Sequence, residues 1–365
     1  MATPLATLKS TVITLNAQDY FLIAPTGVLD GQVKCLIDEL ATTSVTLTVL
    51  GHIFSEASFA FRFLNLDVFG NHTVYVGENS DVVAGRDFAA AWMEGEGCAL
   101  YNAGSISGGA AGYFAGWASG EFQNDGQMIG MRYYGVKFLN SANTVVENGG
   151  LISGLGGIVL ENAAATILNQ GQIRSRSATL AAVDARTGLD GMTLRNSGEV
   201  TGLVLAVVGS SIADTVINSG LIDGNVDLGA GNDTFRGKQG TLEGTLSGGA
   251  QNDFLAGGEG DQLIYGGSEN DILNGNAGDD VLFGGNGYDT FVFSRRGDDD
   301  TISGFQNGTD LIDMRAFHFA NFAALSAKAI DAPGGMLIDL QAQNGGTVFI
   351  AGFTKALFGA SDVIL

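Results

Sequence analysis

Basic residues, histidine, cysteine and proline are all scarce in this chain, and each shortage excludes something. Seventeen Lys and Arg stand against 39 Asp and Glu, a net charge of −22. A nucleic-acid partner needs a basic stripe, so that class is excluded. His52, His72 and His318 are far apart in sequence and give neither an HExxH zinc-protease helix nor a ligand pair. A GxSxG nucleophile elbow and a GxxxxGK(S/T) phosphate loop are missing too. Cys35 and Cys98 are the only thiols. They can pair, but two cysteines make no disulfide framework, and a buried thiol is the commoner state. Only Pro4, Pro25 and Pro333 would interrupt a strand ladder. No apolar run reaches about 18 residues, so no membrane span is expected. Met1–Asp30 lacks the basic and long apolar pattern of a Sec leader.

What the chain has in excess is glycine, 56 residues. From Gly248 to Val292 glycine opens five nine-residue blocks laid head to tail: GGAQNDFLA, GGEGDQLIY, GGSENDILN, GNAGDDVLF and GGNGYDTFV. The sixth place holds Asp253, Gln262, Asp271, Asp280 and Asp289, and the eighth holds Leu255, Ile264, Leu273, Leu282 and Phe291. A near-copy with Gly229, Gly231, Asp233 and Phe235 precedes them. Such a period governs the fold. The glycine-rich part cannot pack a core but can turn, letting backbone carbonyls converge. The remaining three residues form a short strand with one apolar side chain pointing inward. Carboxylate and carbonyl oxygens suit Ca²⁺ rather than zinc or copper.

These blocks resemble the RTX (repeats-in-toxin) pattern GGxGxDxUx. The resemblance implies a β-roll with two nonapeptides per turn and several Ca²⁺ ions between stacked loops. Carried over, Asp253, Asp271 and Asp289 share one edge; Asp280 sits on the other, with Gln262 where an Asp is expected. Asp233, Asp261, Asp279 and Asp300 are further candidate ligands, and Gly229, Gly231, Gly249, Gly258, Gly267 and Gly285 supply the surrounding backbone. Gln262 is uncharged, so the ion beside it is expected to be weak or missing unless Asp261 helps. Gln251 and Glu269 replace the fourth-place glycine, and the register slips by two residues between Phe235 and Gly248. About three to five good sites are expected. Extracellular calcium modules bind at about 10⁻⁴–10⁻³ M, and at ten times the dissociation constant each ion adds about 1.4 kcal/mol. An acidic stretch that repels itself without counter-ions makes calcium the expected folding switch.

A looser repeat, Φ-x-N-x-G-x-Φ-x-G, fills the chain before it. Clear copies begin at Leu100, Phe122, Val146, Ile167, Leu194 and Val216, with Asn102, Asn124, Asn148, Asn169, Asn196 and Asn218 in third place. Fainter copies lie at Ile23 and Leu47. A spacing of 21 to 27 residues is one coil of a parallel β-helix. Asparagine tolerates the left-handed region and bonds its own backbone, so it is expected at the corner, stacked into a ladder. This part resembles the N-x-G-x-I coils of bacterial secreted and surface solenoids. The expected fold is all-β: a right-handed parallel β-helix continuing into a calcium-binding RTX β-roll, with a small C-terminal β-rich cap. The expected boundaries are 1–22 for an N-terminal cap, 23–225 for the β-helix, 226–300 for the roll and 301–365 for the cap.

The tail points to export. Asp300, Thr301, Ile302, Phe305, Gly308, Asp310, Ile312 and Asp313 resemble the segment that closes RTX domains of secreted proteins. A short helix is expected near Phe322–Ile330. The ending Asp362-Val363-Ile364-Leu365 looks like an uncleaved type I secretion signal, which makes type I machinery an expected partner; alone, it is also an ordinary end strand. For catalysis the densest cluster is Arg132, Tyr133, Tyr134 and Lys137 with Asp125 nearby, and Arg174, Arg176 and Arg186 could line another strip. Polysaccharide lyases and C5-epimerases use β-helices, yet an Asp-Pro-His signature is absent, and these residues read mainly as surface. Trp92, Trp117, Tyr113 and Phe114 could stack on sugars, although packing roles fit them better. The leading expectation is a secreted calcium-dependent structural or adhesive protein that self-assembles as homo-polymer, with cell-surface polysaccharide as a candidate partner.

Overall fold

A computed structural model describes strand segments 3–4, 13–15, 20–23, 28–30 and 35–37, and then residues 46–365 apart from 56–59, 64–71, 95–96, 117–119, 142, 189 and 296–297. Most of the expected cap at 1–22, with Gly27 and Trp117, lies outside the described residues, as do the side chains of Cys35 and Phe114. Cys98 is buried. The chain forms two compact units, Met1–Val208 and Gly209–Leu365.

In the first unit most coils contribute three short parallel strands, while the last has Thr193–Asn196 and one long strand, Glu199–Val208. One coil is Ala99–Asn102, Ser105–Gly108 and Tyr113–Gly116; the next is Glu121–Asn124, Gln127–Gly130 and Tyr134–Leu139. Pairing is parallel and in register, so like stacks on like. Leu47, Val74, Leu100, Phe122, Val146, Ile167 and Leu194 form one buried column. Ile53, Val82, Ile106, Met128, Ile152, Ile173 and Val200 form a second. The two apolar places of the repeat are thus core positions on adjacent faces. The glycine between them is required by close approach. A Cβ on Gly126 would sit 2.0 Å from the carbonyl oxygen of Gly104, and one on Gly150 2.0 Å from that of Gly126.

The asparagines do form the expected ladder. The Nδ2 of Asn102 donates to Oδ1 of Asn124 at 2.7 Å, Asn124 to Asn148 at 2.8 Å, Asn148 to Asn169 at 2.8 Å and Asn169 to Asn196 at 2.7 Å. Each of those four Nδ2 groups also reaches a backbone carbonyl of the next coil, as Asn124 does with Leu151 at 3.2 Å. The left-handed expectation for them is corrected. None has positive φ; they end extended strands instead. Their side-chain bonds run along the stack, so the backbone has no need to leave the strand region.

The second unit has two strands per coil in its repeat region. Thr245–Ala250 is followed by Phe254–Ala256, Leu263–Ser268 by Ile272–Asn274, and Val281–Asn286 by Thr290–Val292. Phe235, Leu255, Leu273, Phe291 and Ile312 stack as one buried column, and Leu246, Ile264, Leu282, Ile302 and Ile350 as the other. Two nonapeptides therefore make one turn.

A β-rich cap follows. Ala329–Ala332 and Gly335–Asp339 pair antiparallel, and the latter pairs antiparallel with Thr347–Ala351. Such a reversal covers an edge that parallel stacking would leave open. The short helix is present but spans only Phe322–Ser326, with the Asn321 side chain accepting the Ala324 N–H at 3.0 Å. Ile330 is in a strand, not the helix, because Pro333 and Gly334 (φ +86°) form the tight turn that folds 329–332 back as a hairpin. Val363–Ile364 pair in parallel with Ile312 and Asp313.

Candidate metal centre

The eighth-place column fixes everything around it. With that residue buried, the sixth-place side chain two residues earlier points to the same side of the chain, under the preceding loop. The 18-residue turn then stacks the carboxylates. The N–H of Asp233 donates to Oδ1 of Asp253 at 2.8 Å, that of Asp253 to Asp271 at 2.8 Å, and that of Asp271 to Asp289 at 3.0 Å. On the opposite edge the N–H of Gln262 donates to Oδ1 of Asp280 at 2.7 Å, and that of Asp280 to Asp300 at 3.1 Å. The edge assignment read from the nonapeptides holds: Asp253, Asp271 and Asp289 share one side, while Gln262 and Asp280 share the other.

One oxygen per carboxylate is used in this way. The other, Oδ2 of Asp233, Asp253, Asp271, Asp280 and Asp289, is buried and has no hydrogen-bond partner. Buried polar atoms are nearly always satisfied, and a buried, unpaired carboxylate is costly. Burial is the main reason these groups hold their protons tightly: Asp253 and Asp289 are pushed up to about 6, Asp233 and Asp300 to about 7, and Asp271 and Asp280 to about 8. Neighbouring acids add to the rise, and backbone N–H bonds oppose it. A cation held beside these oxygens would reverse that balance and favour the charged form.

The loops bring backbone close to the same oxygens. A Cβ on first-place Gly248, Gly266, Gly275 or Gly284 would lie within 2.4 Å of the local Oδ2, so only glycine leaves room. Second-place Gly249, Gly267 and Gly285 have φ of +112°, +126° and +110°, and Gly229 has +95°. At the fourth place Gln251 (φ 77°) and Glu269 (φ 71°) adopt the left-handed conformation that glycine has at Gly260, Gly278 and Gly287. They keep the turn despite their Cβ, helped by the bond from the Gln251 N–H to Glu269 Oε2 at 2.8 Å. Asp261 and Asp279 are exposed; Asp261 Oδ1 accepts the Asp279 N–H at 2.9 Å, and Asp279 Oδ1 accepts that of Asp299 at 2.9 Å.

The donor set fits a hard cation. The unpartnered atoms are all carboxylate oxygens, and Ca²⁺ takes 6–8 oxygens, many from backbone. Among the described residues no three His, Cys, Asp or Glu side chains converge on one point. An ion here would draw most of its shell from carbonyls of loops such as those of Gly229, Gly249, Gly267 and Gly285.

The family model for RTX calcium-binding nonapeptide repeats matches four copies, over residues 244–268 and 256–291. This segment is an RTX repeat block. The chain is thus a β-solenoid whose C-terminal part carries calcium-binding RTX repeats. No curated protein matches the chain. Among the described residues no helix is long and apolar enough to cross a membrane.

Two members of the RTX-side carboxylate column were not among the candidates. Asp214 and Asp310 extend it: the Asp214 N–H donates to Asp233 Oδ1 at 2.6 Å, and the Asp289 N–H to Asp310 Oδ1 at 3.2 Å. The signal that finds them is Asp-x-Φ ahead of a core residue, in Asp214-Thr215-Val216 and Asp310-Leu311-Ile312. The basic residues weighed for catalysis are committed to neighbours. Arg132 pairs with Asp87, Lys137 with Glu161, Arg174 with Glu199 and Arg186 with Asp184. Arg176 bonds the Gly130 carbonyl at 2.6 Å. Asp125 lines an open acidic groove with Glu78 and Asp81. Tyr113 is core, packed on Phe122 and Phe138.

Proposed function

We propose that this protein is a secreted structural protein whose C-terminal unit is ordered by calcium and which self-assembles at or outside the cell surface. The observation that carries the reading is the column of buried carboxylates, each with one oxygen left unpartnered, repeated every turn. Asp233, Asp253, Asp271 and Asp289 on one edge, and Asp280 with Asp300 on the other, would hold the ions, with Gly229, Gly231, Gly249, Gly267 and Gly285 giving backbone oxygens. A bound cation neutralises the column and clamps each turn to the next.

Export through type I machinery is supported by the RTX block. Self-association is supported by exposed Ile272, Tyr288, Ile330 and Leu357 on the second unit. Polysaccharide at the cell surface is the candidate anchor. Calorimetry and circular dichroism during CaCl₂ titration test the first step. Heat release with a gain of β-structure is expected; no heat and no change would overturn it. Electron microscopy with calcium and with chelator tests assembly, and monodisperse particles in both would sink it.

A further inference from the structure

Not every rung of the carboxylate column is open, and the backbone four residues earlier separates the two kinds. At Asp233, Asp253, Asp271, Asp289 and Asp280 that residue is Gly229, Gly249, Gly267, Gly285 and Asn276, with φ of +95°, +112°, +126°, +110° and +75°. All five are left-handed, and all five rungs carry an unpartnered Oδ2. At Asp214, Gln262 and Asp310 the residue four earlier is Ser210, Gly258 or Gln306, none with positive φ. There its N–H turns onto the side chain. Ser210 donates to Asp214 Oδ2 at 2.6 Å, Gly258 to Gln262 Oε1 at 3.1 Å, and Gln306 to Asp310 Oδ2 at 2.8 Å.

Gln262 goes further. Its Oε1 lies over Gly257 as the Oδ2 atoms of Asp253, Asp271, Asp280 and Asp289 lie over Gly248, Gly266, Gly275 and Gly284, and its Nε2 donates to the Glu259 carbonyl at 3.0 Å. The amide nitrogen thus meets a loop carbonyl and stands in for a cation.

We propose that backbone handedness at the second place decides calcium occupancy. Of these eight rungs, ions bind at the five open ones; the chain closes Asp214, Gln262 and Asp310 with its own N–H groups, and these bind none, while the residue four before Asp300 lies outside the described residues. The closed rungs mark both ends of one edge column, at Asp214 and Asp310, and the first rung of the other, at Gln262. An ion at a closed rung would have to displace an N–H bond already made. This inference rests on the calcium reading above and concerns which rungs take part.

The test is a count of bound Ca²⁺ by native mass spectrometry of the full chain at saturating CaCl₂. Asp214→Asn, Asp310→Asn and Gln262→Ala are expected to retain the wild-type number, while Asp271→Asn loses at least one ion. Loss of an ion from Asp214→Asn, Asp310→Asn or Gln262→Ala, matching that from Asp271→Asn, overturns the proposal. A wild-type chain with no bound calcium overturns the functional reading instead. The three closed-rung variants lie on two edges and in different turns, so if one fails to fold, by circular dichroism, the others still decide.

Discussion

Both units stack identical polar side chains along the solenoid, and the chemistry of one atom separates them. In the first unit the stacked group is an amide. Asn124 uses Oδ1 to accept from Asn102 and Nδ2 to donate to Asn148, so the column is neutral and its inner rungs satisfy one another, with only the end oxygen, Asn102 Oδ1, left over. In the second unit the stacked group is a carboxylate, which has no proton to pass on. Asp271 Oδ1 accepts from the Asp253 backbone, and Oδ2 is left over. Swapping an NH₂ for an oxygen turns a column that closes on itself into one that calls for a cation.

Chelation should break the comparison most sharply. With EDTA, hydrogen exchange is expected to lose protection across 226–313 while the amides of 99–208 keep theirs; equal loss in both regions would refute the division of labour. Next in size is a missing rung in the amide ladder. Asn148→Ala leaves the buried Oδ1 of Asn169 without its donor, at about 1–3 kcal/mol, while Asn124 Nδ2 keeps its bond to the Leu151 carbonyl, so the first unit should melt earlier by an amount independent of calcium. Asp271→Asn should behave oppositely in the second unit. It weakens calcium binding but stabilises the calcium-free fold, since it removes a buried charge; melting with and without calcium separates the two effects.

A pH series sharpens the same contrast. The free carboxylates of Asp271 and Asp280 titrate near 8 in the fold, against about 3.9 in an unfolded chain. The native state therefore binds more protons than the unfolded one, and stability falls as pH rises. Calcium-free second unit should be most stable near pH 4 and lose that stability up to about pH 8, and calcium should erase the trend by replacing the protons. The smallest effect is expected at Gln251, whose left-handed φ costs about 1–2 kcal/mol. Gln251→Gly should raise the midpoint of thermal unfolding slightly, measured with calcium present.

Much of this is legible in the sequence alone. The nine-residue period placed Leu255, Leu273 and Phe291 in one core column and Asp253, Asp271 and Asp289 on one edge. The longer repeat put Asn102 through Asn196 in a ladder. Asp214 and Asp310 were missed because their loops do not carry the glycine pattern, although their Asp-x-Φ signature is intact. The motif asparagines were expected in a left-handed corner because that is their local preference; stacking against identical neighbours won over it. The helix was expected to reach Ile330, but pairing of Ala329–Ala332 with Gly335–Asp339 took those residues into a hairpin.

Periodicity in the sequence alone settled how many residues make a turn, which side chains face inward and which residue types stack, since those follow from strand alternation and a fixed repeat length. Only the folded chain decided which stacked carboxylates are left with an unmet oxygen. That depends on the φ angle of a loop residue four places away and on whether its N–H finds the side chain, and Gly258, identical in type to Gly249 and Gly267, takes the other conformation.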